Sequence, residues 1–125
     1  MNNLINLINE TFIGKRVVIR SNSAGVFVGT LVARDGQTVL LKNSRRIWGW
    51  EGAASLSELS QLGVKADRKS ACKFPIPMAE QVVEEVIEII PATKEALNSL
   101  DSTPIWGFVN TDYTITEDGT AVANS

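Results

Sequence analysis

Residues Arg45 to Gly52 read Arg-Arg-Ile-Trp-Gly-Trp-Glu-Gly and hold two of the chain's three tryptophans beside two adjacent arginines. Indole faces stack on nucleobases, and guanidinium forks grip phosphate or carboxylate bidentately or stack on a π-face. The segment therefore predicts a flat, cationic surface suited to a nucleotide. Trp48 or Trp50 is expected to stack an adenine, with Arg45, Arg46 and Arg20 pairing pyrophosphate oxygens. Asn22 or Ser23 would reach a ribose or phosphate, and Gly25, Gly49 and Gly52 would let backbone N–H groups approach the ligand. Trp48 and Trp50 lie two apart, which on a strand puts them on one face. A plainer reading stands beside this one: a Trp near a strand end is usually a core or interface residue, and Arg-Arg is often a solvated edge.

Other chemistry is sparse. The chain has no histidine and one cysteine, Cys72, which excludes an intrachain disulfide, a His/Cys zinc site, a Ser-His triad and a histidine general base. Ser55 and Ser57 thus lack a base, and Cys72 reads as a small buried hydrophobe. Glu80, Glu84, Glu85 and Glu88 form an acidic cluster that reads as a solvated strand face rather than a magnesium site. Lys65, Arg68 and Lys69 read as a solvated loop. No catalytic residue, metal or cofactor is expected, and the protein is read as a binder rather than an enzyme.

The elements that must carry the arginines and tryptophans follow from pattern. Leu4, Ile5, Leu7, Ile8 and Phe12 recur at helical spacing, predicting a short N-terminal helix that ends before Gly14. Strands are expected at Lys15–Ser21, at Val26–Arg34 with a bend at Gly29, and at Thr38–Lys42 after an Asp35-Gly36 hairpin turn. Ser55 and Glu58 form a capping-box pair that opens a two-turn helix closed by Gly63. Gln81–Ile90 fits helix and strand spacing almost equally; its Val and Ile content favours one strand ended by Pro91. A short helix is expected over Thr93–Leu100, a short extended segment at Pro104–Trp106, and a loose Tyr113–Thr116 strand with an Asp118-Gly119 turn. The reading is a single β-rich domain over residues 1–109 and a loosely structured or mobile tail over 110–125.

The 125 residues carry a formal net charge of −2, yet that balance conceals a division. Residues 1–73 hold eleven Lys/Arg against five Asp/Glu, and residues 74–125 one Lys against nine acids. The asymmetry predicts either a basic site on one side of the fold or pairing of the two halves, within or between subunits. A pI near 5.1 argues against a protein that coats long nucleic acid. No run approaches the roughly 18 apolar residues of a membrane span, so the chain is read as soluble and cytoplasmic.

Two resemblances add to this. The stretch Gly14–Ser21, Gly25–Gly36 and Thr38–Ile47 resembles the first half of an Sm-like small β-barrel. That likeness implies a mainly β (α+β) fold: a small SH3/Sm-like antiparallel β-barrel with a short N-terminal helix and one or two short inserted helices. It also implies ring-like or dimeric assembly through exposed edge strands. Ser23–Leu31, Arg45–Leu59, Cys72–Pro77, Ile87–Ala96 and Pro104–Trp106 are similar to a family of small proteins of tailed phages. This implies a viral accessory protein made in a host bacterial cytoplasm. By analogy with phage sponges of the same size, it points to sequestration of a nucleotide immune signal of Thoeris or CBASS defence. Such a signal is a cyclic ADP-ribose isomer or a cyclic oligonucleotide, bound without cleavage by a homo-oligomer. The alternatives are an Sm-like ring that binds single-stranded RNA and a protein-interaction module that uses Trp48 and Trp50 as hot spots.

Overall fold

The run expected as the first strand is buried on both faces. β1 (Arg16–Ser21) sends Val17 and Ile19 into one core and Val18 into another, the alternation imposed by a two-residue period. The computed structural model describes residues 3–107 and 113–123. Helix α1 (Asn3–Phe12) precedes β1, which is followed by β2 (Gly25–Asp35), β3 (Thr38–Ile47), α2 (Leu56–Leu62) and a 3-10 helix (Ala66–Ala71). Then come β4 (Met78–Val83), β5 (Val86–Pro91), α3 (Lys94–Asp101), β6 (Tyr113–Ile115) and β7 (Ala121–Ala123). The first five strands form one antiparallel sheet in the order β4-β3-β2-β1-β5, and β6 and β7 form a separate hairpin.

Irregular pairing curls the sheet. Thr30 lies opposite Lys42 but Val28 lies opposite Arg45, so β3 carries an extra residue facing Gly29, and Asn43 there takes a φ of 48°. A side chain at Gly29 would sit 3.0 Å from the Cβ of Ser44, which explains the glycine. A second shift lies between Leu31 and Ala33. Bulges bend a strand and increase its twist, and here Val83 of β4 and Val86 of β5, from opposite edges, reach the same inner core as Val17, Ile19, Phe27, Leu31, Val39 and Leu41. The result is the mainly β, barrel-like α+β fold. On the convex face a second core joins Val18, Val28 and Ile47 to Leu59 of α2, Leu100 of α3, Val64, Cys72 and Phe74.

The helices follow their caps. Ser55 accepts from the backbone N–H of Glu58, and the Glu58 carboxylate accepts from that of Ala54; Gly63 closes α2 with a positive φ. Thr93 caps α3 by accepting from Ala96 N–H.

Gln81–Ile90 departs from expectation. It is two strands, broken at Glu84-Glu85, where Glu85 adopts a φ of 56°. The curled sheet brings its two edges close together, so one extended stretch crosses from β3's flank to β1's flank with a kink. The Glu84 carbonyl accepts from Ser21 Oγ and the Glu85 carbonyl from Asn22 N–H. β3 also runs on past Lys42 to Ile47, and the basic loop after Lys65 winds into the 3-10 helix. Of the expected tail, residues 113–123 form the β6–β7 hairpin around Asp118-Gly119. Phe108 and residues 110–112 lie outside the described residues. No helix is long and apolar enough to cross a membrane among the described residues.

Candidate functional site

The bulge at Asn43 and the end of β3 at Ile47 decide how the arginine–tryptophan segment is displayed. Arg45 points into the convex core with only 1% of its surface exposed. Its guanidinium donates to the carbonyls of Pro75 (3.2 Å), Leu100 (3.1 Å) and Phe74 (3.2 Å) and stacks 5.3 Å from the Phe74 ring centre. Burial pushes its pKa down to about 10, opposed chiefly by the nearby Asp101 carboxylate, so it stays a cation at neutral pH. The expectation that Arg45 grips a ligand phosphate gives way to a structural role: its donors are spent on three carbonyls, tying Phe74, Pro75 and the end of α3 to β3.

Arg46 faces the other way. It lies 4.5 Å over the Phe27 ring and donates to the Ala24 carbonyl at 2.5 Å, beside the Asn22-Ser23 turn. There Ser21 Oγ accepts from the N–H groups of Ser23 and Ala24. Arg20 is exposed and paired with Glu88 at 3.1 Å. The structure thus gathers Arg46, Asn22 and Ser23 at one end of the sheet, with Arg20 on the adjoining strand.

The two neighbouring tryptophans part company. Gly49 leaves the sheet register and forms a bridge with Lys73 instead, so the strand alternation that would put both indoles on one face ends. Trp50 turns inward against the convex core, its Nε1 donating to the Ala53 carbonyl. Trp48 stays 62% exposed.

Trp48 has partners that spacing alone does not reveal. Its N–H donates to the Lys73 carbonyl, and Trp106 N–H donates to the Phe74 carbonyl. Three extended segments are thereby laid side by side. The Trp48 and Trp106 ring centres are 5.0 Å apart with planes tilted by 54°. Lys73 Nζ sits 5.6 Å from the first centre and 5.7 Å from the second. Trp106 is 42% exposed, so the pair presents aromatic surface to solvent with an ammonium at its rim. Arg68 and Lys69 occupy the last turn of the 3-10 helix that leads to Lys73, and Lys69 Nζ donates to Ser102 Oγ at 2.6 Å. Among the described residues the ion pairs are Arg16–Asp101, Arg20–Glu88 and Lys42–Glu80. Each joins the basic first part of the chain to the acidic second part, and none uses Lys65, Arg68, Lys69 or Lys73.

Lys73 and Trp106 went unpredicted as partners of Trp48 because they come from separate extended segments; Pro75 and Pro104 signal extension but not adjacency. Five surface hollows among the described residues each enclose about 190–230 Å³, and none is lined by a tryptophan. A drug-sized ligand typically occupies roughly 300–1,000 Å³. The exposure of both indoles makes the aromatic surface a platform open to solvent. Among the described residues no cluster of three or more metal-ligating side chains occurs.

Comparison with known proteins gives two findings. The chain is similar to P. aerophilum SmAP1, solved as a heptamer, at 17% identity and a TM-score of 0.49, over 74% of this chain and 99% of that one. No curated protein matches it. The region from Gly14 to Leu100, which holds the curled sheet, Trp48 and Lys73, matches the family model DUF6948, a domain of unknown function over residues 14–100, and the chain belongs to that family.

Proposed function

We propose that the protein is a non-enzymatic binder of short single-stranded nucleic acid or nucleotide ligands, with bases stacking on Trp48 and Trp106 and a phosphate meeting Lys73. The observation that carries this reading is the solvent-facing indole pair with one ammonium close to both rings. Aromatic platforms with cationic rims bind single strands because every base has a π-face and every linkage a charge. The openness of the platform favours an extended strand over an enclosed mononucleotide. The acidic pI limits the basic footprint to a few nucleotides.

Titration of labelled oligo-A, with cyclic ADP-ribose isomers, cyclic oligonucleotides and ATP in parallel, tests the reading. Oligo-A should bind with a strong salt dependence, and Trp48→Ala should cost about 1–3 kcal/mol of affinity at unchanged melting temperature. Binding that survives both Trp48→Ala and Lys73→Ala removes the site. The narrower reading, sequestration of a cyclic immune signal in an infected bacterial cytoplasm, calls for copies of the chain assembled so that platforms enclose the ligand. It predicts tight binding of one cyclic species, recovered intact, in place of oligo-A. Absence of binding to any of these turns the surface into a protein hot spot.

A further inference from the structure

Arg16 is nearly buried, its side chain 9% exposed, and its guanidinium holds together distant parts of the chain. Nη2 donates to Asp101 Oδ1 at 2.8 Å. Nη1 faces the Asp118 carbonyl at 2.8 Å, the Asn43 carbonyl at 3.1 Å and Thr30 Oγ1 at 3.3 Å. Asp101 ends α3 and Asp118 lies in the β6–β7 turn, so both ends of the stretch that contains Trp106 converge on a single side chain. Gly119 packs against the same guanidinium with a φ of +86°, and a Cβ there would overlap it. The turn is braced internally: Thr116 Oγ1 donates to the Asp118 carboxylate, and Thr120 N–H also reaches that carboxylate.

The boundary of the family region gives this fastening a meaning. Arg16, Trp48 and Lys73 lie inside residues 14–100, whereas Asp101, Trp106 and the hairpin lie beyond them. The family region by itself therefore carries half of the aromatic platform, and the other half is brought by the C-terminal segment. We infer that Arg16 is a positioning residue for the binding surface: by fastening the C-terminal segment at Asp101 and Asp118, it sets Trp106 against Trp48. The fastening stands on the contacts alone; its consequence for ligand rests on the nucleic-acid reading given above.

The full chain labelled with fluorotryptophan separates the two claims by fluorine NMR, because Trp50, partly buried against the convex core, reports the fold independently of Trp106. In Arg16→Gln the Trp106 resonance should move toward the position of a free indole and the Trp48 resonance should shift, while Trp50 stays in place. Gly119→Ala, which leaves Arg16 intact and displaces the turn, should produce the same pair of shifts. Oligo-A affinity should fall at least about fivefold in both, the low end for loss of one stacked base. Unmoved Trp48 and Trp106 resonances in the folded variants would overturn the inference, and so would collapse of the Trp50 resonance in both, which would make Arg16 a residue of the fold as a whole. If the unaltered protein binds no oligonucleotide while the resonances shift as expected, the fastening stands and the nucleic-acid reading alone fails.

Discussion

Arg45 and Arg46 are neighbours with opposite fates, and burial separates them. The Arg45 guanidinium donates to the carbonyls of Phe74, Pro75 and Leu100, so Arg45→Met removes three charge-assisted hydrogen bonds from the convex core, although the Phe74 and Leu100 carbonyls keep the N–H groups of Trp106 and Thr103. The expected loss is about 2–4 kcal/mol in urea unfolding, and Arg45→Lys, a point cation without the planar fork, should recover little of it. A change under about 0.5 kcal/mol would place Arg45 among surface residues. Trp48→Ala should leave the melting temperature almost unchanged, whereas Trp50→Ala, which empties part of the convex core, should cost about 2 kcal/mol or more. Asp101 adds a pH dependence. Its burial raises the carboxyl pKa, against the pull of Arg16 and Arg45. A carboxyl that binds its proton more tightly when folded lowers stability as pH rises from the ordinary aspartate value through the raised one. Relative to Asp101→Asn, the wild type should therefore gain stability as the pH is lowered from 7 into that window, measured by paired urea titrations. A relative loss on acidification would mean that the Arg16 charge outweighs burial. At this scale the sequence shows which side chains lie together along the chain but not where each one points. Nothing in Arg-Arg-Ile-Trp-Gly-Trp tells that a bulge at Asn43 and a bridge at Gly49 turn Arg45 and Trp50 inward and leave Trp48 outside.

Elements with local punctuation were the legible ones. The caps at Ser55 and Thr93, the stop at Gly63 and the turn near Gly36 are short-range devices, and each element they bound lies close to where its residues predict it. The Gln81–Ile90 stretch has no such device. Its break falls on two glutamates because the curled sheet demands a crossing from one edge to the other, a tertiary requirement that overrides the uniform β propensity of the segment. Glu85 holds its φ of 56° without the freedom of glycine. Glu85→Gly is expected to raise stability by about 0.5–1 kcal/mol, read as an upward shift in the urea midpoint; destabilisation would show that the Glu85 side chain contributes more than its backbone costs. The Asn22 N–H bond to the Glu85 carbonyl makes the same turn the brace of the Asn22-Ser23 loop.

For the molecule as a whole, the uneven charge of the chain is partly neutralised within it, through the three ion pairs that link its basic and acidic parts. Much apolar surface is left to solvent: Leu4 and Leu7 on α1, Met78 and Val82 on β4, and Ile87 on β5 are all close to half exposed or more. β4 and β5 also form the two edges of the sheet. Open apolar edges promote association, so light scattering at micromolar concentration should give a mass well above 13.6 kDa. A monomer mass across that range would remove self-assembly from the account. The Arg16 fastening also bears on how the protein can be shortened. A version trimmed to the family limits discards the Asp101 carboxylate, the Asp118 carbonyl and Gly119 together, so it uncovers the Arg16 guanidinium to water at the same time as it removes its partners. What the trimmed fragment loses is half of its aromatic surface, since Trp106 goes with the discarded segment, so a shortened chain reports on the fold of the family region and not on the surface that the whole chain displays.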